Sequence, residues 1–406
     1  MSVDVRTRAD RSTEQVDSKD FFDSQLPAAF AAGAELLAAA VAHLSPPPLS
    51  VDVDGRQWTM RPVAGTVVVE SGGGEDAQHL TLDAVQLSDL VNDQVTPMGW
   101  FSSGRLALKG RLSDLLDWWL LMRGALDGVA PHVPGALSFA AGDGMALDLA
   151  HTFAVDDPDE DKRHFLEEAG FLHIGGVFSE GEMAAISADM DELAPSYSQG
   201  DGRSWWARTS TGDDRLVRMQ YFDQVSERGA ALMKDERMLG IGRLTGDGHE
   251  PNWDAGNLVE ALIKPLGIVE GISDVPWHKD CSLGRHSYEC CSLTIGISVT
   301  GAGPRSGQLR VVAGSHRALV WPALDQPGLD LPAVDLPTET GDVTVHLSCT
   351  LHMAQPPVER ERRVLYTGFR LPATDPEAAA LGRRRLREVR EAAPLTVSQP
   401  PATTNA

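Results

Sequence analysis

From Asn257 onward the chain is broken into short β-rich pieces: Leu258 to Ile263, Cys291 to Val299, Gln308 to Val312, Asp342 to Leu347 and Arg363 to Phe369. Many short strands that follow helices predict a sandwich or barrel with helical support. The helical support lies just upstream. Phe165 to Ala169 reads as a helix ended at Gly170, followed by a strand through Phe171-Leu172-His173-Ile174. A second helix opens at Ser179, with Glu182 three residues on as the partner of a capping box.

The first half of the chain has a different rhythm. Leu26 to Leu44 is rich in Ala and Leu, carries Glu35 near its middle and ends at Ser45-Pro46-Pro47-Pro48. It predicts a packed amphipathic helix and not a membrane span. Strand-like pieces follow at Val51 to Val53, Gln57 to Met60, Thr66 to Val69 and Leu80 to Leu82, with turns at Gly55, Gly65 and the Gly72-Gly73-Gly74 run. A helical stretch around Leu87 to Val91 precedes a strand at Leu106 to Leu108. A further helix from Ser113 has Leu115, Leu116, Trp119 and Met122 on its apolar stripe. This gives an α+β chain with five parts: a disordered start over 1–18, a first domain over 19–130, a linker over 131–161, a second domain over 162–392 and a disordered tail over 393–406. The acidic run Asp156-Asp157-Pro158-Asp159-Glu160-Asp161 is read as solvated connector within the linker.

Composition narrows the partners. The 406 residues carry a formal charge of -23, which disfavours nucleic acid because phosphates would be repelled. Four cysteines without a CxxC spacing suggest neither a disulfide framework nor a zinc site. Reduced thiols and a polar start without a signal-peptide core predict a cytoplasmic protein.

The chemistry is expected around Trp277-His278-Lys279-Asp280. Residues two apart on a strand project from one face, so His278 and Asp280 can grip one metal ion. A second histidine is needed from a neighbouring strand, and His352 in Leu351-His352-Met353 can supply it. Two histidines and one carboxylate leave three positions open on iron.

Two resemblances extend this reading. Gly104-Arg105-Leu106-Ala107-Leu108-Lys109-Gly110, leading into an apolar helix after a run of short strands, resembles the sterol carrier protein 2 family over roughly residues 19–130. That implies an α+β fold with a hydrophobic tunnel for sterols, fatty acids or acyl-CoA. Trp118, Trp119 and Leu120 fit equally as plain core or as tunnel lining.

In the second half, Pro276 and the His278-x-Asp280 run are followed by Ser306-Gly307-Gln308-Leu309-Arg310-Val311-Val312-Ala313-Gly314-Ser315-His316. Then come Gly341-Asp342, Leu351-His352 and Arg362-Arg363. This ordered series resembles the phytanoyl-CoA dioxygenase family from about Phe165 to Phe369. The resemblance implies a double-stranded β-helix, a jelly-roll, cupin-like sandwich. It implies iron(II) held by His278, Asp280 and His352, with 2-oxoglutarate and O2 as cosubstrates. Arg363 matches the basic residue that pairs with the far carboxylate of 2-oxoglutarate; on a strand Arg362 would point to the opposite face, so only one of the two can serve.

The chain departs from the family at Ala354, where many members carry a hydroxyl that supports the cosubstrate carboxylate. Thr294 is the expected replacement donor, and Lys264 could approach the cosubstrate. His346 is weighed against His352 as the third ligand and set aside on the family pattern. His316 is assigned to a structural turn and His286 to the surface. Cys281, Cys290, Cys291 and Cys349 receive no function. Asp280 matters for the reaction type, because related halogenases put a small residue there; its presence points to hydroxylation or another oxidation.

The expected activity is oxidation of an unactivated C–H bond of a hydrophobic small molecule, with 2-oxoglutarate decarboxylated to succinate. A natural-product oxidase with a purely structural carrier-like domain and a non-catalytic lipid-binding protein are the alternatives. Ser204 to Thr209 and Arg215 to Tyr221 mix aromatic and cationic groups, fitting either a substrate lid or packing with solvated charge. The Arg383-Arg384-Arg385-Leu386-Arg387 run reads as a solvated helix face. Oligomeric state is left open.

Overall fold

The computed structural model describes residues 14–251, 253, 256–271, 276–280, 292–323, 328–372, 377 and 380. Cys281, His286, Cys290, Cys291, the Arg383–Arg387 run and the tail lie outside the described residues.

Two apolar cores organise the chain. The first is built on a five-stranded sheet of β1 (Leu49–Val53), β2 (Arg56–Val63), β3 (Thr66–Ser71), β4 (Gln78–Leu82) and β5 (Ala107–Lys109), in the order β3-β2-β1-β4-β5. β1 and β4 run parallel and the other pairs antiparallel. Helices pack on the sheet through Phe21, Phe22, Leu26, Phe30, Trp118 and Trp119. The Leu112–Asp127 helix ends at Gly128, whose φ of 68° supplies the left-handed cap. The segment expected as one helix over Leu26 to Leu44 is instead two, Leu26–Ala32 and Ala34–Leu44, bent by 94° at Gly33. A Cβ at Gly33 would lie 3.2 Å from the Ala29 carbonyl, a tight contact that glycine avoids at the bend. A short helix at Pro97–Ser102, capped by Thr96, was not foreseen. No single helix among the described residues is long and apolar enough to cross a membrane.

The second core is a sandwich. Its strands are β6 (Phe171–Ile174), β7 (Ser204–Thr209), β8 (Asp214–Met219), β9 (Glu250–Pro251), β10 (Glu260–Lys264), β11 (Ile268–Glu270), β12 (Ser292–Ser298), β13 (Leu309–Val312), β14 (Ala333–Leu336), β15 (Val343–Leu347), β16 (His352–Ala354) and β17 (Arg362–Arg370). A large antiparallel sheet runs β11-β7-β8-β10-β17-β12-β15-β6, with β9 on β17, and a small sheet runs β14-β13-β16.

The two faces of the large sheet differ in chemistry. Leu293, Ile295 and Ile297 of β12, Val343 and Val345 of β15, and Leu365 of β17 join the apolar core with helix residues such as Phe165, Met183 and Ile186. The opposite parity places Gly296, Ser298, Thr344, Arg362, Val364 and Tyr366 around a narrow cleft shared with Leu309 and Leu336 of the small sheet. Gly296 is required there, because a Cβ would sit 2.9 Å from Thr344 Oγ1 and 3.0 Å from the Tyr366 ring.

Two stretches are more structured than expected. Phe153 is buried and pairs with Ile174, and Leu137, Phe139, Leu147 and Leu149 pack on the second core or its neighbouring cluster. The 131–161 stretch is therefore largely docked. Within it, Asp159, Glu160 and Asp161 are the first turn of the Asp159–Ala169 helix, where negative charge suits the helix dipole. The capping box of Ser179 and Glu182 forms as expected. The Ser204–Thr209 and Arg215–Tyr221 segments pair as the β7–β8 hairpin. Their charges are largely met locally: Arg218 lies over the Trp205 ring at 4.4 Å and pairs with Glu260, and Arg208 pairs with Asp214.

Candidate active site

His278, Asp280 and His352 converge. One ligand atom from each lies within 4.8 Å of the others. His278 Nε2 is 3.2 Å and His352 Nε2 3.6 Å from Asp280 Oδ1. The backbone sets this up: His278 and His352 exchange both N–H···O bonds at 3.0 Å, which places their side chains on the same face. β16 is then tied into the small sheet through Val311.

The tautomers are fixed by simple accounting. His278 Nδ1 lies 2.7 Å from the Pro276 carbonyl and His352 Nδ1 2.9 Å from the Thr350 carbonyl. A carbonyl only accepts, so both Nδ1 atoms carry a proton and both Nε2 atoms face Asp280. Ionisation agrees. Burial alone would raise the Asp280 carboxyl, but the rings of His352, His278 and His346 outweigh it and hold the carboxyl well below its usual range. Burial, together with His346 and His278, holds the His352 imidazolium well below its ordinary pKa. Two neutral imidazoles and a carboxylate are the donor set a hard-to-borderline divalent iron takes, so these residues fit the metal. Thr294 Oγ1 donates to Asp280 Oδ2 at 3.1 Å, and so orients a ligand carboxylate; the expected contact with the cosubstrate is not where its hydroxyl is engaged.

The Gly314-Ser315-His316 run braces both ligand segments. Ser315 Oγ accepts from Leu351 N and donates to the Val312 carbonyl, while the Ser315 carbonyl accepts from Lys279 Nζ. Lys279 is fully buried, and its ammonium also reaches the Ala318 carbonyl. His316 serves structure: its Nε2 donates to the Glu167 carbonyl, and its ring packs over Gly170 (φ 85°), where a Cβ would come within 2.3 Å.

The two arginines face opposite sides of β17, and it is Arg362 that faces the cleft. Arg363 points to the helix side, bound to Asp191, Glu361 and Ser187. Its neighbour Arg362 lines the cleft and is 4% exposed. Arg362 donates to the Gly307 carbonyl and to the Tyr366 hydroxyl, its Nε has no hydrogen-bond partner, and among the described residues it makes no ion pair. A buried guanidinium without a counter-charge is costly and marks a place for an anion. Tyr366 stands opposite Gly296 in the β12–β17 register, and Thr294, which holds Asp280, is two residues further along the same face. The face of the sheet that carries the guanidinium therefore also carries the hydroxyl that holds Asp280. Lys264 stands opposite Arg362 in the β10–β17 register, and its ammonium donates to the Gln355 carbonyl.

His346 was undervalued. Its ring lies 4.2 Å from the His352 ring, 1% exposed, with Nε2 3.7 Å from Asp280 Oδ2. Neither ring nitrogen has a hydrogen-bond partner among the described residues. The available signal was parity: Thr344 and His346 alternate with the core residues Val343 and Val345, so His346 had to face the cleft. Cys349 is buried.

Comparison with known proteins agrees with this geometry. Residues 166–363 match the model of the family described as phytanoyl-CoA dioxygenase (PhyH). No curated protein matches the chain. Among solved structures, the non-heme α-ketoglutarate-dependent epimerase SnoN from nogalamycin biosynthesis is 18% identical. The match covers 54% of this chain and 86% of that one, with a TM-score of 0.41. AviO1 from Streptomyces viridochromogenes Tue57 is 22% identical over 53% of this chain and 95% of its own, TM-score 0.40. HygX from Streptomyces hygroscopicus, solved with nickel and 2-oxoglutarate bound, is 17% identical over 52% and 90%, TM-score 0.36. The family's enzymes work with iron(II), 2-oxoglutarate and O2. Residues 166–363 are thus a phytanoyl-CoA dioxygenase (PhyH) family domain, the family of 2-oxoglutarate-dependent iron enzymes.

Proposed function

We propose that the protein oxidises an unactivated C–H bond of a hydrophobic small molecule, hydroxylation being the simplest outcome. His278, Asp280 and His352 hold iron(II), and Arg362 receives the far carboxylate of 2-oxoglutarate. The observation that carries this is the convergence of two imidazole Nε2 atoms and a carboxylate on the same side of the large sheet as a buried guanidinium that has no counter-charge among the described residues. Bound iron supplies O2 activation coupled to decarboxylation of 2-oxoglutarate to succinate. The protein's part is to aim both imidazole Nε2 atoms, to hold Asp280 through Thr294, and to meet the cosubstrate's distal charge with a planar fork that binds it bidentately. Lys264, beside Arg362, adds positive potential at that end. The second core is read as a double-stranded β-helix.

The hydrophobic character of the substrate rests on the first core. Its small apolar pocket is lined by residues including Phe22, Met60, Leu80, Trp118, Trp119 and Met122. This favours a carrier-like role for residues 19–130, in line with their resemblance to sterol carrier protein 2. A natural-product oxidase with a purely structural first domain is the competing reading, and lipid that co-purifies with the protein distinguishes them: a loaded first domain supports the former, an empty one the latter.

Anaerobic addition of iron(II) and 2-oxoglutarate tests the centre. A weak charge-transfer absorption in the visible is expected for the wild type and not for His278→Ala; its absence from the wild type would overturn the assignment. Succinate release across a panel of sterols, fatty acids and acyl-CoAs then tests the substrate class.

A further inference from the structure

Residues 318–323 join the first core to the iron ligands, and their side chains alternate between the two. Ala318 and Val320 pack with Trp277 and Leu351, the residues that immediately precede His278 and His352. Leu319 is 1% exposed within the first core, and Trp321 packs against that same core. On the far side, the Trp321 indole Nε1–H donates to Asp117 Oδ1 of the Leu112–Asp127 helix at 2.9 Å. On the near side the backbone makes the connection: Lys279 N donates to the Pro322 carbonyl at 2.8 Å, and Ala323 forms a β-bridge with His278. His132 N also donates to the Leu319 carbonyl. A strand-like segment with period-two alternation, one face in the first core and the other in the small cluster around Trp277 and Leu351, transmits position between them because neither face can shift without opening a packed cluster.

We propose that Trp321 and Asp117 are a positioning pair through which the first domain sets the orientation of the metal ligand His278. The pair touches neither metal nor substrate. It acts by holding Pro322 and Ala323, which hold the backbone of residues 278 and 279. The neighbours of Asp117 in sequence, Trp118 and Trp119, line the pocket of the first core, so the helix that grips Trp321 is also a wall of that pocket. This inference rests on the reading of His278 as an iron ligand.

The test uses full-length protein and two readouts besides turnover: iron(II) affinity by anaerobic titration, and the position and intensity of the visible band with iron(II) and 2-oxoglutarate. Trp321→Phe keeps most of the ring volume and removes the N–H. Asp117→Ala removes the acceptor, and Asp117→Asn retains an acceptor oxygen. Trp321→Phe and Asp117→Ala are expected to weaken iron(II) binding about tenfold and shift the band, the lower end of what groups that orient a metal ligand contribute. Asp117→Asn is expected to restore both readouts to within about twofold of wild type, the residual allowed for a neutral in place of a charge-assisted bond. Circular dichroism melts report whether each variant is folded. Wild-type affinity and an unshifted band in folded Trp321→Phe and Asp117→Ala would overturn the proposal. Failure of the wild type itself to bind iron(II) would instead overturn the site on which it rests.

Discussion

The two faces of the large sheet are made by alternate residues of the same strands, yet they obey different rules. One face carries Leu293, Ile295, Ile297, Val343 and Val345 and packs on helices as a plain hydrophobic core. The other carries Thr294, Gly296, Ser298, Thr344, His346 and Arg362, polar or minimal residues in an equally enclosed place. Burying polar groups costs free energy unless they are partnered. The first face stabilises the fold, and the second spends part of that stability on a site. Arg362 and Arg363 show the contrast at its narrowest, one residue apart: Arg363 is neutralised by Asp191 and Glu361, and Arg362 by nothing among the described residues.

The largest expected effect lies at the metal end of the polar face. Asp280→Ala or His352→Ala removes one of three donors, and iron(II) binding is expected to fall by at least about a hundredfold, with succinate formation at background. Metal content after anaerobic loading measures the first. Full iron loading of either variant would show that the polar face is not a metal site.

Next comes the pair of arginines. Arg362→Ala is expected to raise the 2-oxoglutarate KM by about a hundredfold, near 3 kcal/mol for a buried charge-assisted contact, while leaving iron affinity within a few-fold. Arg363→Ala is expected to leave that KM within about twofold. It should lower stability by about 1 kcal/mol, since its ion pairs are partly exposed. The reverse pattern in steady-state kinetics would exchange the two faces and return the anchor to Arg363.

The placement of the two arginines shows what the sequence could and could not say. The strands, the His278-x-Asp280 spacing and the distal His352 were legible because period two, glycine turns and ligand chemistry are local signals. Parity was legible too, and it separated Arg362 from Arg363 correctly. Which parity faces the cleft was not, because that depends on where the helices pack. Once Leu365 and Val345 are known to face Phe165 and Met183, Arg362 and His346 must face inward. The docking of 131–161 and of 318–323 was hidden for the same reason, since both depend on contacts between segments distant in sequence. Asp159 to Asp161 shows a local version: an acidic run has the same composition as solvated connector or as a helix's first turn.

A smaller effect tests how closely the polar face is fitted. Gly296→Ala places a methyl 2.9 Å from Thr344 Oγ1 and 3.0 Å from the Tyr366 ring, both flexible only at the expense of the cleft. A loss of about 1–3 kcal/mol is expected for such overpacking, together with weaker 2-oxoglutarate binding. The equivalent change on the other face, Ile295→Val, should cost about 1 kcal/mol in stability and leave cosubstrate binding unaltered. Chemical denaturation and the cosubstrate KM separate the two.

The smallest effect concerns the joint between the cores. Burial raises the Asp117 carboxyl from its ordinary 3.8 to about 6, against the opposing hydrogen bond from Trp321; Asp114 pushes in the same direction as burial, and His43 and Arg111 oppose it. A carboxyl whose folded pKa is raised binds its proton more tightly folded than unfolded. Its contribution to stability is therefore complete below about pH 3.8 and is lost as pH rises through about 6. Other carboxyls, such as Asp342, are shifted the opposite way, so the raw pH profile mixes signs. The difference between wild type and Asp117→Asn isolates this one group. The variant should gain stability relative to wild type as pH rises from 4 to 6, where the wild type must pay to ionise Asp117. The partial exposure of the group keeps the gain modest. A difference in unfolding midpoint that is flat across this range would mean that the Trp321–Asp117 contact sits in water rather than in a closed joint between the first core and the iron ligands.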